Sequence, residues 1–398
     1  MPLPIGPFPY QLINGTLADA NQVMADFNWL LNGVNSLPWP LPGSQIANYN
    51  KLLNPFMEID QANEGAATNP ATNSFSIDGY RVGLNSTAGG VGAAQRQAAA
   101  ASPLGYQNSL GYTTATGASS VPAGDYAQIF TRLEADDIND TGFGTSNAQA
   151  LTLSFYAYCT IAGTYYVSFS NGAGTRSYIT PYTISTASTW QLFSIAIPGD
   201  TAGTWTLSGN TTGFQVSWTL GTGTTYQTVT TNTWQSANLL GATGMSNAIL
   251  TTTNAGFRLG PCKLEVGSAA TPMLRQSFQQ ELARCQRYYE KSYDAGTAVG
   301  TSTVTGQSQF FAGLSTGPTW AGISRDIPFK TNKRAAPTIT LYSRNTGAPG
   351  KVFDLINAAD VAGSIIQQGT STSSWTANPA AGSSTVNLNA HWVADARL

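Results

Sequence analysis

The sequence predicts an all-β protein with one amphipathic helix near its start and a second one late in the chain. Three observations carry this. Of 398 residues, 41% are apolar but only 10% are charged, against roughly 25% charged in an average globular protein. The missing charge is replaced by Thr, Ser, Asn and Gly, which favour strands and turns. Residues 150–184, "ALTLSFYAYCTIAGTYYVSFSNGAGTRSYITPYTI", then read as strand, glycine turn, strand, glycine turn, strand. Finally, only two stretches carry apolar residues at helical spacing.

The first of these is "NGTLADANQVMADFNWLLNGVNSL". Leu17, Ala20, Met24, Phe27, Leu31 and Val34 form one stripe. Thr16 caps the start, Asp19 suits the positive end of the helix dipole, and Gly33 with "PWPLPG" stops it. Residues 1–49 contain nothing to bury that stripe against, so the helix is expected to pack on another chain.

Residues 50–271 read as an antiparallel β-sandwich. Leu151, Leu153, Phe155 and Ala157 alternate with Thr152, Ser154, Tyr156 and Tyr158, which places the two sets on opposite faces of a strand. "TWQLFSIAIPGD", "TGFQVSWTLGTG" and "TNAGFRLGPCKLEVG" repeat the pattern of a strand bounded by Gly or Pro. No helical stretch lies between these strands and no short period recurs, which argues for a sandwich and against a β-helix.

Residues 272–292 form a helical connector. Phe278, Leu282, Cys285 and Tyr289 recur at helical spacing, and Ser277 with Gln280 has the form of a capping box. Glu281 with Arg284, and Arg287 with Glu290, are expected to pair at i,i+3 on the exposed side of a helix about four turns long. Residues 293–398 complete the chain as a smaller β domain. Its last strand carries Val386, Leu388, Ala390 and Trp392 on one side.

The same segments closely resemble bacteriophage tail fibre and related virion fibre proteins. "LEVGSAATPMLRQSFQQELARCQRYYEKSYD" is similar to their domain-junction motif, with Met273 where Phe is common and Gln280-Glu281 in place of a doubled Glu. "LINGTLADANQVMADFN" looks like a virion-attachment helix. "NPFMEIDQANEG", "TWQLFSIAIPGD" and "FRLGPCKLEVG" resemble the carbohydrate-binding-module-like jelly roll of such fibres, and "KRAAPTITLYS" and "HWVADARL" their C-terminal β domain. The resemblance implies a virion protein made in the host cytoplasm and assembled as a homotrimer or another symmetric oligomer. It would contact other virion proteins through the N-terminal helix and serve adsorption to a bacterium.

Composition limits the alternatives. A net charge of −2 and a pI near 5.4 provide no basic field for a phosphate backbone, so nucleic acid is not an expected partner. No apolar run reaches the roughly 20 residues that span a bilayer, and "MPLPIGPFPY" lacks the form of a secretory signal. Cys159, Cys262 and Cys285 have no ligand spacing and read as buried thiols. His391, the sole histidine, reads as structural. No cofactor motif is present. "LEADDINDTG" starts like an EF-hand loop, but Ala148 stands where the bidentate Glu belongs, so no metal is assigned. Glu58 with Asp60, and the Asp136 cluster, are the local carboxylate pairs that a glycosidase would need.

Aromatics are the stronger lead, because flat rings stack on the C–H faces of sugars. Trp190 and Trp218 lie inside strand patterns and are expected in the core. Trp205, the group Tyr165, Tyr178 and Arg176 near glycine turns, and Trp320 and Trp375 in loop-like segments are the glycan-binding candidates. The function expected is non-catalytic adsorption through glycan, the alternatives being a purely structural virion part or a capsule depolymerase. Deleting residues 1–49 is expected to leave the β domains folded and to block incorporation into particles. Particles that still contain the truncated chain would overturn the anchor assignment.

Overall fold

The structure, a computed structural model, describes residues 27–28, 49–98, 105–313, 323–379 and 385–398. The N-terminal attachment helix and Trp320 lie outside the described residues. The chain lays down β1 (Phe75–Ile77), β2 (Tyr80–Asn85), β3 (Val91–Ala98), β4 (Asn108–Thr116), β5 (Tyr126–Glu134), β6 (Leu151–Cys159) and β7 (Gly163–Asn171). Next come β8 (Ser177–Ile184), β9 (Gln191–Ile197), β10 (Thr212–Thr222), the short β11 (Gln227–Thr228), β12 (Trp234–Gln235) and β13 (Gly241–Ala242), a one-turn helix α1 (Ala248–Thr251) and the long β14 (Gly256–Val266). Helix α2 (Phe278–Gln286) leads to β15 (Tyr289–Lys291), β16 (Ser308–Gly313), β17 (Ile323–Pro328), β18 (Thr338–Ser343), β19 (Lys351–Asp354), β20 (Ala359–Gln368), β21 (Thr372–Ala377) and β22 (Thr385–Asp395).

Two antiparallel sheets form the first sandwich. One runs β1-β2-β5-β10-β7-β8-β12 and the other β3-β4-β14-β6-β9. Their facing sides hold one apolar core. Phe155 of β6 meets Trp218 of β10 at 5.8 Å and Tyr182 of β8 at 5.2 Å, both edge-on. The period-2 reading of β6 is realised, since Leu151, Leu153, Phe155, Ala157 and Cys159 are all fully buried in that core. In β14 an extra residue breaks the alternation. Leu259 faces Ala157 while Cys262 faces Phe155, so three steps on β14 match two on β6. This β-bulge keeps both Leu259 and Cys262 pointing inward.

The C-terminal strands form one eight-stranded sheet organised around β22, which pairs with β15, β16, β18 and β19. β20, β21 and β17 continue the sheet beyond β19. His391 of β22 is buried, stacked on Tyr293 with ring centres 4.0 Å apart. Its Nε2 lies 3.0 Å from the Thr303 carbonyl and its Nδ1 3.0 Å from the Ser292 hydroxyl. A carbonyl can only accept, so Nε2 carries the proton and Nδ1 accepts from Ser292. Burial holds the imidazole below its ordinary value. The three cysteines are free and buried, as their spacing implied.

Helix α2 has the expected capping box, with Ser277 and Gln280 each bonded to the other's backbone amide. Glu281 and Arg284 pair at 3.0 Å. Two expectations fail. The helix stops at Gln286, because Tyr289–Lys291 pair with Val393–Asp395 of β22. The Arg287–Glu290 pair does not form. Arg287 binds Glu134 of β5 at 2.8 Å, and Glu290 is sealed against Lys333 at 2.6 Å. The docking face also differs, since Phe278 is exposed and the buried positions are Glu281, Cys285 and Gln286. Glu281 accepts the Asn54 amide at 2.6 Å, and Arg284 reaches the Leu52 carbonyl at 3.2 Å. The helix therefore docks through hydrogen-bonded charge. Asn50–Leu398 folds as one compact unit.

Asp78 and Gly79 form the turn between β1 and β2, with Gly79 at φ +81°, where its missing Cβ removes the penalty. The buried Asp78 carboxylate accepts the Gln61 amide at 2.9 Å, and burial pushes its pKa up to about 7. In the unfolded chain the value is about 3.9. The folded value is the higher one, so this group's contribution is fully present below about pH 4 and is lost as pH rises through about 7. Asp78→Asn keeps the acceptor and removes the titration. It is expected to raise stability at pH 8, on the order of 1 kcal/mol or more, and to change little at pH 4. Urea unfolding at both pH values checks this, and an equal effect at both would refute it.

Candidate functional site

The face of the five-stranded sheet turned away from the apolar core carries a second set of aromatic and polar side chains, some buried and some half-exposed. Its residues alternate with the core set: Ser154, Tyr156 and Tyr158 on β6, Arg258 on β14, Ser109 and Thr113 on β4, and Leu192 and Ser194 on β9. Two aromatic groups lie along it. Trp190, just before β9, packs against Tyr158 with ring centres 5.7 Å apart, and the Arg258 guanidinium sits 5.1 Å from the Tyr158 ring centre. Tyr106 packs between Tyr156 at 6.2 Å and Phe56 at 5.3 Å. A groove of about 370 Å³ runs beside the second group, lined by Tyr106, Ser154, Tyr156, Leu192, Ser194 and Ala270–Met273.

Two glycines keep this face flat. A Cβ on Gly260, within the β14 bulge, would come 2.9 Å from the Trp190 ring. A Cβ on Gly111 would come 2.5 Å from the Gln97 side chain. Both side chains therefore lie across bare backbone. The face is close to neutral. Lys263 and Glu265 pair at 2.9 Å while nearly fully buried, which leaves Arg258 as its one cation without an ion pair among the described residues. Ser109 Oγ, Ser154 Oγ and Gln97 Oε1 are buried without a hydrogen-bond partner. Leu192 is 57% exposed. Half-exposed rings beside a groove with a polar and an apolar side can hold a polyhydroxylated, uncharged ligand by stacking and hydrogen bonds.

The residues singled out from sequence occupy other places. Tyr165 is fully buried, its hydroxyl donating to the Ile161 carbonyl at 3.1 Å. Trp375 is also fully buried, with Nε1 3.3 Å from Ser308 Oγ. Tyr178 is buried against Phe169 and Trp234. The structure does bring Arg176 and Trp205 together, on Asp200. Arg176 binds that carboxylate through two nitrogens at 2.8 and 2.6 Å, and Trp205 Nε1 donates to it at 3.0 Å. Trp205 packs on Phe143 at 4.8 Å. This cluster locks a loop onto the core, so these residues do not form an open rim. Trp218 is in the core as expected, whereas Trp190 is on the outer face. Tyr156 and Tyr158 were already placed opposite the core by the alternation of β6. Tyr106 had no such signal, because its packing partners are distant in sequence.

The carboxylates considered for hydrolysis are occupied. Glu58 pairs with Arg275 at 2.7 Å. Asp60 accepts the amides of Asn63 at 3.1 Å and Gly65 at 2.7 Å, and burial raises its pKa. Both line a cleft of about 600 Å³ beside α2, where Glu64 pairs with Lys291. In the 134–141 segment, Asp140 pairs with Lys51 at 2.7 Å, and Asp136 accepts the Gly209 amide at 2.7 Å. Among the described residues, no group of three or more His, Cys, Asp or Glu is placed to hold a metal ion.

No protein-family model matches the sequence, and no curated protein matches it. Solved structures do show likeness. The carbohydrate-binding module TmCBM61, solved with β-1,4-galactotriose, is 9% identical over 54% of this chain and 97% of its own, with a TM-score of 0.26. The family 11 carbohydrate-binding module of Clostridium thermocellum, solved with a mixed-linked tetrasaccharide, is 10% identical over 50% and 95%, with a TM-score of 0.25. The enzymatically active domain of bacteriophage CBA120 tailspike protein 4 is 9% identical over 53% of this chain and 22% of its own, with a TM-score of 0.26. At these TM-scores none of the three bears on what this chain binds.

Gly260→Ala places a methyl group against the Trp190 ring and is expected to tilt it off the sheet. Intrinsic fluorescence of the variant should shift, while its unfolding midpoint should move only slightly. An unchanged emission spectrum would show that the ring does not depend on this glycine.

Proposed function

We propose that this chain is a virion fibre protein that binds glycan without cleaving it, through the outer face of the five-stranded sheet. The observation that carries this is the half-buried run of Trp190, Tyr158 and Arg258, with the buried Tyr156 and half-buried Tyr106 beside it, over glycines that keep the backbone bare. The sandwich is read as a jelly roll, the virion as its location, and the homotrimer as its assembly, with residues 1–49 joining other virion proteins. The support for these finer points is the resemblance of the 264–294 junction and the N-terminal segment to phage fibres. A trimer would present three such faces at once. Weak single contacts then suffice, because linked copies raise avidity by roughly 10²–10⁴.

A purely structural role is the second reading. The specific observation in its favour is that Tyr165, Tyr178 and Trp375 are spent on the core. A bacterial glycan array with the full chain separates the two. Retention of a neutral saccharide, reduced about tenfold or more by Trp190→Ala or Tyr158→Ala with unchanged melting, is the expected outcome. Retention of no glycan, with normal incorporation into particles, would favour the structural reading. Release of reducing ends from the bound polysaccharide would overturn the non-catalytic assignment.

A further inference from the structure

A second surface differs from the glycan face in charge. Arg81 of β2, Arg132 of β5 and Arg397, which follows β22, line one small pocket together with Phe75, Phe130 and Tyr288. Arg81 and Arg132 arrive there through strand pairing, because Arg81 stands opposite Phe130 and Arg132 lies two residues further along the same strand. The rings act as platforms. The Arg81 guanidinium lies 4.1 Å from the Phe75 ring centre, and Arg397 lies 4.3 Å from Phe75 and 4.4 Å from Tyr289.

The charges do not balance. Asp395 holds Arg397 through both of its oxygens. Arg132 donates to the neutral Gln215 side chain at 2.9 Å. Arg81 has no carboxylate partner among the described residues, and its Nε is buried without a hydrogen bond. Asp78 is buried and close enough to interact electrostatically with Arg397. Burial and the two neighbouring guanidiniums pull Arg81 down to about 10. Among the described residues, Asp395 is the one side-chain carboxylate hydrogen-bonded to these three cations. The pocket is small, about 20 Å³, and half open to solvent, so an occupant would place one water-sized group inside, such as one oxygen of a larger anion, with the rest at the mouth.

We propose that this pocket is an anion site that takes a single small oxyanion group, a carboxylate or a phosphate, on the forked donors of Arg81 and Arg132. Guanidinium forks match such groups in bidentate geometry. The apolar rim favours an oxyanion attached to a carbon skeleton, which the aromatic rings can cover. The site is independent of the glycan face and stands whether or not that face binds sugar.

Binding to the full chain can be titrated with glucuronate, acetate, inorganic phosphate and, as control, glucose. Saturable binding in roughly the millimolar range to glucuronate or phosphate, and none to glucose, is expected. Glucuronate and acetate without phosphate would assign the site to carboxylates, and phosphate alone would assign it to phosphate groups. Arg81→Gln and Arg132→Gln should each weaken binding about tenfold or more. Without added anion, neither variant should melt below the wild type, because each relieves repulsion. No saturable binding by the wild type, or binding unchanged in both variants, would overturn the proposal.

Discussion

The structure turns on the two-residue period of β6. One set of its side chains, Leu151 through Cys159, is committed to the core, and this fixes where the other set must point. The partner β14 could not follow that period unaided, since Leu259 and Cys262 are three residues apart and both face inward. The bulge between them resolves the conflict by inserting one residue. The same insertion places Gly260 beneath Trp190, so a device that preserves the core also clears space on the opposite side. Core and candidate binding face are thus two consequences of one register.

Charge is used in a comparable way. A chain with so few ionisable residues could have left them on its surface. Several are instead buried as pairs: Lys333 with Glu290, Lys263 with Glu265, and Lys291 with Glu64. Buried pairs contribute little net stability, but breaking one leaves an uncompensated charge and is costly. Glu281, Arg284 and Arg287 do the same for α2, tying it to Asn54, Leu52 and Glu134. The connector is seated by directional bonds, which fix its orientation more tightly than an apolar stripe would.

Much of this was legible in the sequence. The strands around 151–184, the Ser277 cap and the burial of the three thiols all follow from local pattern, where the signal and its cause lie within a few residues. The length of α2 was not legible, because Tyr289 has a helical spacing from Cys285 yet is claimed by β22, about a hundred residues later. The fate of the aromatics was harder still. Tyr165 was read as near a glycine turn and Trp375 as in a loop, which suggested exposure, but they lie within β7 and β21 and point to the core side of those strands. Trp190 ends on the outer face because of a bulge whose glycine belongs to a different strand. Arg81, Arg132 and Arg397 converge only once strands 50 residues apart are paired and the last segment returns to them. Pairing of that range has no local sign.

The place of β22 carries a further implication. Four other strands of the C-terminal sheet bond to it, and it comes after all of them in the chain. During synthesis, β19, β20, β21 and β17 can pair among themselves, but β15, β16 and β18, whose strand partner among the described residues is β22, must wait unpaired until residues 385–395 leave the ribosome. Arg397 and its neighbours, which reach back to the first sandwich, arrive only after that. A nascent chain halted before this point would hold a finished first sandwich trailing exposed strand edges, the form of polypeptide most prone to pair with another copy of itself.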